Sequence, residues 1–285
     1  MNDLIISKYP DEYEHSGKVA YINENKSISV ETLLEFLLIY SANDAAYISA
    51  LAVSEDVEQF ILLMNQKSKK LGMNNTNFVN PDGIDDENHY TTLNDLLILT
   101  KHIIENNQII STVSKSKFLS DASGIEKTYK NTNLLLDEGF TGIKTGWTDK
   151  AGLTFIGYNQ LNKREIITIV NRSNVDERKY NHFSDTKILY KSSIETFNNY
   201  KIVNKDTLIY QIRSSNNLYK HTSENDWITF INKNQVNTIK LNKYEKNKLT
   251  FIYSNDLLTY KIKKKSNSIN WRFNPIKIFK LNANK

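Results

Sequence analysis

A chain of 285 residues without a single cysteine excludes disulfides, thiol catalysis and thiolate-held metal. Its net charge of +5 would suit an anionic partner, yet no Arg-rich recognition helix, zinc spacing or aromatic single-strand platform accompanies it, which argues against nucleic acid. The five histidines form no H-x-x-x-H pair, and no apolar run reaches the ~18 residues of a membrane span, so neither a zinc hydrolase nor a transmembrane helix is expected.

"MNDLIISKYPDEYEHSG" lacks the basic start and apolar region of a signal peptide. "SISVETLLEFLLIY" sets Val30, Leu33, Leu34, Leu37 and Leu38 at helical spacing, with Ser29 placed to cap the start. A second helix is predicted from Asp44 to about Val53, and a third from near Ser54 to Gly72. "NNTNFVNPDGIDDENHY" reads as loop, and its Asp82, Asp85 and Asp86 fit no EF-hand spacing, so no metal is expected there. "TTLNDLLILTKHII" predicts a fourth helix with Thr92 and Asp95 as a capping box.

Strands follow. "GFTGIKTG", "GLTFIGYNQ" and "REIITIVNR" have short β-branched cores, and the connecting "TDKAG" and "NQLNKRE" suit antiparallel hairpins. "DERKYNHFSDTKILYKSSIETF" predicts a closing helix. From about Asn199 the texture changes to short alternating strands, such as "WITFIN" and "KLTFIYS", as in a small all-β module. Helices, then an antiparallel sheet with a helix behind it, then a β appendage make an α+β chain, divided into domains 1–198 and 199–285.

Two short motifs stand out. "YSANDAA" sets Ser41-Ala42-Asn43 at the end of an apolar helix, and Lys144-Thr145-Gly146 lies on a strand about a hundred residues later. S-x-N also occurs at Ser214, Ser215, Ser223 and Ser268, but only Ser41 follows a helix. K-T-G occurs once, inside the more specific "GIKTGWTDKAG". A lone Lys on a strand is ordinarily a solvated charge and a lone Ser after a helix a turn residue; the joint pattern is what points to chemistry.

With "SVETLLEFLLIYSANDAA", "LGMNNTNFVNPDGIDDENHYTTLNDLLILTKHII" and "DERKYNHFSDTKILY", these motifs resemble the D-alanyl-D-alanine carboxypeptidases, the low-molecular-mass penicillin-binding proteins of peptidase family S11. The resemblance covers roughly residues 3 to 198. It implies a β-lactamase/transpeptidase-like fold, an antiparallel sheet flanked by helices with its N-terminal part missing, plus a small C-terminal β-rich domain. It implies acyl transfer through a serine ester, removing the terminal D-Ala of peptidoglycan stem peptides, with no cofactor. Lys144 and Thr145 would take the substrate's terminal carboxylate, Gly146 would let substrate lie along the strand, and the Trp147 N–H would donate to the oxyanion. Ser41 would relay a proton, and Asn43 would hold the substrate amide and orient the catalytic lysine. Arg172 is a weaker match to an arginine that assists carboxylate binding, with Arg178 as the alternative. Partners implied are stem peptides ending in D-Ala-D-Ala and, for a full-length protein, β-lactams as inhibitors. The location implied is the cell envelope outside the cytoplasmic membrane, with a membrane-surface contact for the basic, aromatic tail "INWRFNPIKIFKLNANK". A class A β-lactamase fits less well, given the "SANDAA" and "KTGWTDKAG" contexts, the β appendage and no evident deacylating Glu loop.

The family's nucleophile Ser and base Lys, an S-x-x-K motif, should precede S-x-N by about sixty residues, which places them about twenty residues before Met1. The S-x-x-K matches at Ser114–Lys117 and Ser184–Lys187 lie elsewhere along the resemblance. The chain as written is therefore expected to be poorly stable and catalytically dead. The competing reading is a non-catalytic relative that binds wall peptides.

Overall fold

The computed structural model describes residues 3–161, 164–174, 180–203, 208–214, 217–222, 227–232, 240–245, 248–253 and 256–261. It forms two compact units, Met1–Tyr190 and Lys191–Lys285.

In the first unit a short antiparallel pair, β1 (Leu4–Ile6) and β2 (Ser27–Ser29), leads into α1 (Val30–Glu35). Ser29 caps α1 as the sequence predicts, its hydroxyl accepting from the Thr32 N–H. The helix then widens into a π-helical turn, Phe36–Tyr40, and stops at Ser41 in the left-handed conformation. α2 (Asn43–Val53) starts at once, one residue before the predicted Asp44. Buried Phe36, Ile39, Ala42, Ala45 and Ile48 carry the π turn and α2 into one core with Phe118 and Tyr129. Burying a Phe or Ile side chain among them stabilises by about 1.5–3 kcal/mol.

α3 (Val57–Leu71) begins at the Asp56 cap rather than near Ser54. Both residues can cap, but the Ser54 hydroxyl is turned back to the Ala50 carbonyl to close α2 (2.8 Å), whereas the Asp56 carboxylate accepts from the Gln59 N–H at 2.7 Å. Gly72 ends α3 with φ +89, as expected of a C-terminal glycine. In α4 (Leu93–Ile103) Thr92 accepts from the Asp95 N–H (3.2 Å), but the capping box is not reciprocal. The Asp95 carboxylate instead binds the Thr76 hydroxyl (2.7 Å) and the Asn75 N–H (2.8 Å), tying α4 to the preceding loop. A further helix, α5 (Asn107–Val113), is capped by Asn106.

A hairpin of β3 (Lys117–Ser120) and β4 (Lys127–Lys130) precedes the sheet β5 (Phe140–Thr148), β6 (Gly152–Leu161) and β7 (Arg164–Ser173). This sheet is antiparallel in sequence order, as predicted. α5 packs on β5, and α4 on β7. α6 (Asn181–Thr196) packs Phe183 against Phe155 of β6, with ring centroids 5.1 Å apart. Helices around an antiparallel sheet make the α+β, transpeptidase-like architecture that the motifs imply.

In the second unit, strands Phe197–Val203 and Trp227–Asn232 pair antiparallel, as do Leu208–Ser214 and Asn217–Thr222, and Lys240–Glu245, Lys248–Tyr253 and Asp256–Lys261 form a meander. The tail singled out for a membrane contact lies outside the described residues. Among the described residues no helix is long and apolar enough to cross a membrane, and no group of His, Asp and Glu is arranged to hold a metal.

Candidate active site

Ser41 and Lys144, 103 residues apart, meet: the lysine Nζ donates to the Ser41 Oγ at 2.5 Å and to the Thr145 carbonyl at 2.8 Å. Each end of this contact has a local cause. The π turn delivers Ser41 in a left-handed backbone, φ +65 and ψ +47, although it is not glycine. A non-glycine residue there costs about 1–2 kcal/mol, and such strain gathers at functional sites. On β5, neighbouring Lys144 and Thr145 both connect back to the π turn. Lys144 reaches Ser41, while the Thr145 hydroxyl donates to Thr132 Oγ at 2.7 Å. Thr132 is itself held by its N–H to the Ile39 carbonyl, 3.1 Å, within the π turn.

Gly146 follows on β5, opposite Thr154 of β6. A Cβ at Gly146 would lie 2.6 Å from the Thr154 hydroxyl, so this position excludes a side chain through its own sheet neighbour as well as through any ligand. Trp147 is 60% exposed at the rim. Strand alternation puts its N–H on the same side as the Thr145 carbonyl that receives Lys144. Just beyond, Asp85 accepts from the Thr148 hydroxyl (2.7 Å) and the Lys150 N–H (3.0 Å), latching the 80–90 loop onto the β5–β6 turn. The sequence marked Asp85 only as loop.

Asn43 opens α2, with its Nδ2 donating to the Ser16 carbonyl (3.0 Å) and its N–H to the Lys18 carbonyl (2.7 Å). It therefore holds a strap, residues 16–18, two residues along from Ser41. Next to it, fully buried Asp44 accepts from the N–H groups of Ala20 (3.0 Å) and Ile22 (3.1 Å), fixing the path of the strap as it leaves. Arg172 is exposed at the far end of β7, two strands from Lys144, with φ +54 beside a register shift. The structure does not gather it with Ser41, Lys144 and Thr145. Arg178 lies outside the described residues.

Electrostatically, Lys144 is the unusual group. Burial, and then the nearby charge of Lys18, lower its pKa from the ordinary 10.5 to about 8. Its partners are a hydroxyl and a carbonyl, and no carboxylate pairs with it among the described residues. An ammonium so placed is set to take an anion, and, when neutral, a proton from a neighbouring hydroxyl. The two S-x-x-K stretches are engaged elsewhere. Ser114 closes α5 by donating to the Ile110 carbonyl (2.6 Å), and Lys187 pairs with Glu138 (3.1 Å).

Sequence reasoning missed Thr132, Lys18, Asp44 and the latch at Asp85. The Asp of "SANDAA" adjoins the S-x-N motif, which was a signal for Asp44; the other three carry none.

Residues 2–174 match the family model of D-alanyl-D-alanine carboxypeptidase, peptidase family S11. The chain is 32% identical to D-alanyl-D-alanine carboxypeptidase DacF of Bacillus subtilis over 138 residues, covering 47% of this chain and 36% of that one. It is also 32% identical to the D-alanyl-D-alanine endopeptidase of Escherichia coli over 189 residues, 64% of this chain and 59% of that one. The matched length is thus well short of these relatives' own length. Among solved structures, penicillin-binding protein D2 of Listeria monocytogenes, in its ampicillin-bound form, superposes with a TM-score of 0.57 at 32% identity, over 67% of this chain and 78% of that one. Penicillin-binding protein 6B of Escherichia coli superposes at 0.70 over 92% and 79%, but at 19% identity it speaks to the fold alone. The fold, the S-x-N and K-T-G geometry and a family match over more than half of its length make this chain a member of the D-alanyl-D-alanine carboxypeptidase family, peptidase family S11.

Proposed function

We propose that the protein is a serine-type D-Ala-D-Ala carboxypeptidase of peptidoglycan maturation, which removes the terminal D-Ala of stem peptides through an acyl-serine intermediate. The observation that carries the reading is Lys144, a desolvated ammonium with no carboxylate partner among the described residues, held against Ser41. Lys144 takes the terminal carboxylate, and the Thr145 hydroxyl turns from Thr132 to add a charge-assisted hydrogen bond. The Trp147 N–H donates to the oxyanion, a contribution of about a hundredfold or more in rate. Ser41 passes a proton to the leaving amine. Asn43 aligns the substrate amide from the N-terminus of α2. Arg172, two strands from Lys144, keeps only the weaker role of assisting the carboxylate that the resemblance implies.

The attacking serine and its lysine base belong to an S-x-x-K motif that neither Ser114 nor Ser184 supplies. The 285 residues are read as binding D-Ala-D-Ala ends, and turnover calls for an S-x-x-K serine and lysine that these two stretches do not supply. The carboxypeptidase domain is residues 1–198, and 199–285 form a β-rich accessory domain. β-Lactams inhibit an enzyme of this kind, which acts outside the cytoplasmic membrane, where its substrate is.

D-Ala release from a D-Ala-D-Ala-terminated peptide is the test. A protein that joins these residues to an S-x-x-K segment should release D-Ala and be acylated by penicillin, whereas the 285-residue chain should do neither. Release by the shorter chain contradicts the missing nucleophile. A folded, extended protein that releases nothing would leave a wall-peptide binding protein, the reading favoured by a retained carboxylate pocket without S-x-x-K.

A further inference from the structure

Lys144 is not the sole cation at this site. Lys18 sits on the 16–18 strap that crosses the N-terminus of α2, and the course of the strap is closely determined. Asn43 grips it at two carbonyls, those of Ser16 (3.0 Å) and Lys18 (2.7 Å). Gly17 between them has φ +68, and a Cβ there would lie 2.5 Å from Asn43 Nδ2, so the strap rests directly on that side chain. Asp44 then holds the outgoing chain at Ala20 and Ile22. On this path the Lys18 ammonium lies 4.1 Å from the centroid of the Tyr40 ring, one residue before Ser41.

Two ammonium groups on one site repel each other. The charge of Lys18 is, after burial, the second reason that Lys144 holds its proton weakly, and desolvation lowers the pKa of Lys18 as well. The ion pairs among the described residues involve Lys26, Lys115 and Lys187, never Lys18 or Lys144. Ser41, Thr132 and Thr145 add hydroxyls. One terminal carboxylate neutralises one of the two ammonium groups and leaves the other without a counter-charge.

We propose that Lys18 is a specificity-determining residue that, together with Lys144, makes the site a two-cation cradle favouring ligands with a second anionic group close to the terminal carboxylate. The proposal rests on the reading of Lys144 as the cation for that carboxylate. Asn43 and Asp44 act as positioning residues for it, since they hold the strap that presents Lys18.

The test is calorimetric binding of short peptides to the full chain, with each acidic peptide compared with its neutral isostere. Acetyl-D-Glu-D-Ala is set against acetyl-D-Gln-D-Ala, and acetyl-D-Ala-D-Glu against acetyl-D-Ala-D-Gln. At least one acidic peptide should bind about threefold to fivefold more tightly than its isostere, the range of a partly exposed ion pair. The preference should shrink with added salt, fall towards one in Lys18→Gln, and persist in Lys18→Arg. A ratio near one in the wild type, or one unchanged by Lys18→Gln, overturns the proposal. Failure of the underlying reading looks different: the wild type would then bind each peptide no better than its C-terminal amide. A carboxylate-over-amide preference that Lys144→Met abolishes, with no acidic preference, defeats only the role of Lys18. Absence of binding by every peptide defeats both.

Discussion

Lys144 brings a positive charge to a buried place that offers it a hydroxyl and a carbonyl and, among the described residues, no counter-charge. Its folded pKa, about 8, lies below the ordinary 10.5, so the folded state binds this proton more weakly than the unfolded chain does. The penalty is therefore full below about pH 8 and is relieved as pH rises towards 10.5. Lys144→Met should raise stability at pH 7 by about 1–3 kcal/mol, with the gain shrinking at pH 10, as read by denaturant unfolding at both pH values. The same proton governs binding: affinity for a carboxylate-terminated peptide should decline as pH rises past about 8 in the free protein. Asp44 behaves oppositely. Asp44→Ala strands the buried N–H groups of Ala20 and Ile22 and should cost about 2–4 kcal/mol in the same unfolding experiment. At this scale the sequence exposed Ser41, Asn43, Lys144, Thr145 and Gly146, because each lies in a motif whose chemistry dictates residue type. Thr132 and Lys18 were illegible, because their roles arise from contacts made across the fold: Thr132 with Ile39 and Thr145, Lys18 with Tyr40 and Asn43.

The elements that hold the site owe their ends to capping chemistry, which sequence shows well when a single candidate is present. Ser29 and Thr92 are such cases, and Thr92→Ala should cost about 1 kcal/mol of stability by the loss of its bond to the Asp95 N–H. Where candidates compete, contacts made only in the fold decide, as when Ser54 closes α2 and leaves Asp56 to open α3. α5 escaped because seven residues give too few turns for a periodic signal, although the Asn106 cap was present. The three-stranded sheet was readable throughout its described strands, since β-branched cores and the Thr148–Ala151 turn leave little other choice. The latch between the 80–90 loop and the β5–β6 turn was not. Asp85→Ala removes two bonds to that turn, so the Lys150 amide should exchange with solvent faster by hydrogen-exchange mass spectrometry, while β6 and β7 keep their protection.

At the scale of the molecule, all the residues of the candidate site lie in the unit Met1–Tyr190. A chain ending at residue 198, which keeps the whole of α6, should bind D-Ala-D-Ala peptides within about twofold of the full chain; a larger loss would place part of the site in the β-rich unit. The class of fold was legible because the order of helices, hairpins and closing helix is written in periodicity and turn residues. The central claim is that Lys144 makes this a receptor for a terminal carboxylate. The most direct measurement is calorimetric titration of the chain at pH 7 with acetyl-D-Ala-D-Ala and with its C-terminal amide, repeated for Lys144→Met. The account predicts that the acid binds at least about tenfold more tightly than the amide, the scale of a charge-assisted hydrogen bond, and that Lys144→Met erases the difference. Equal affinities for acid and amide in the wild-type chain would contradict it.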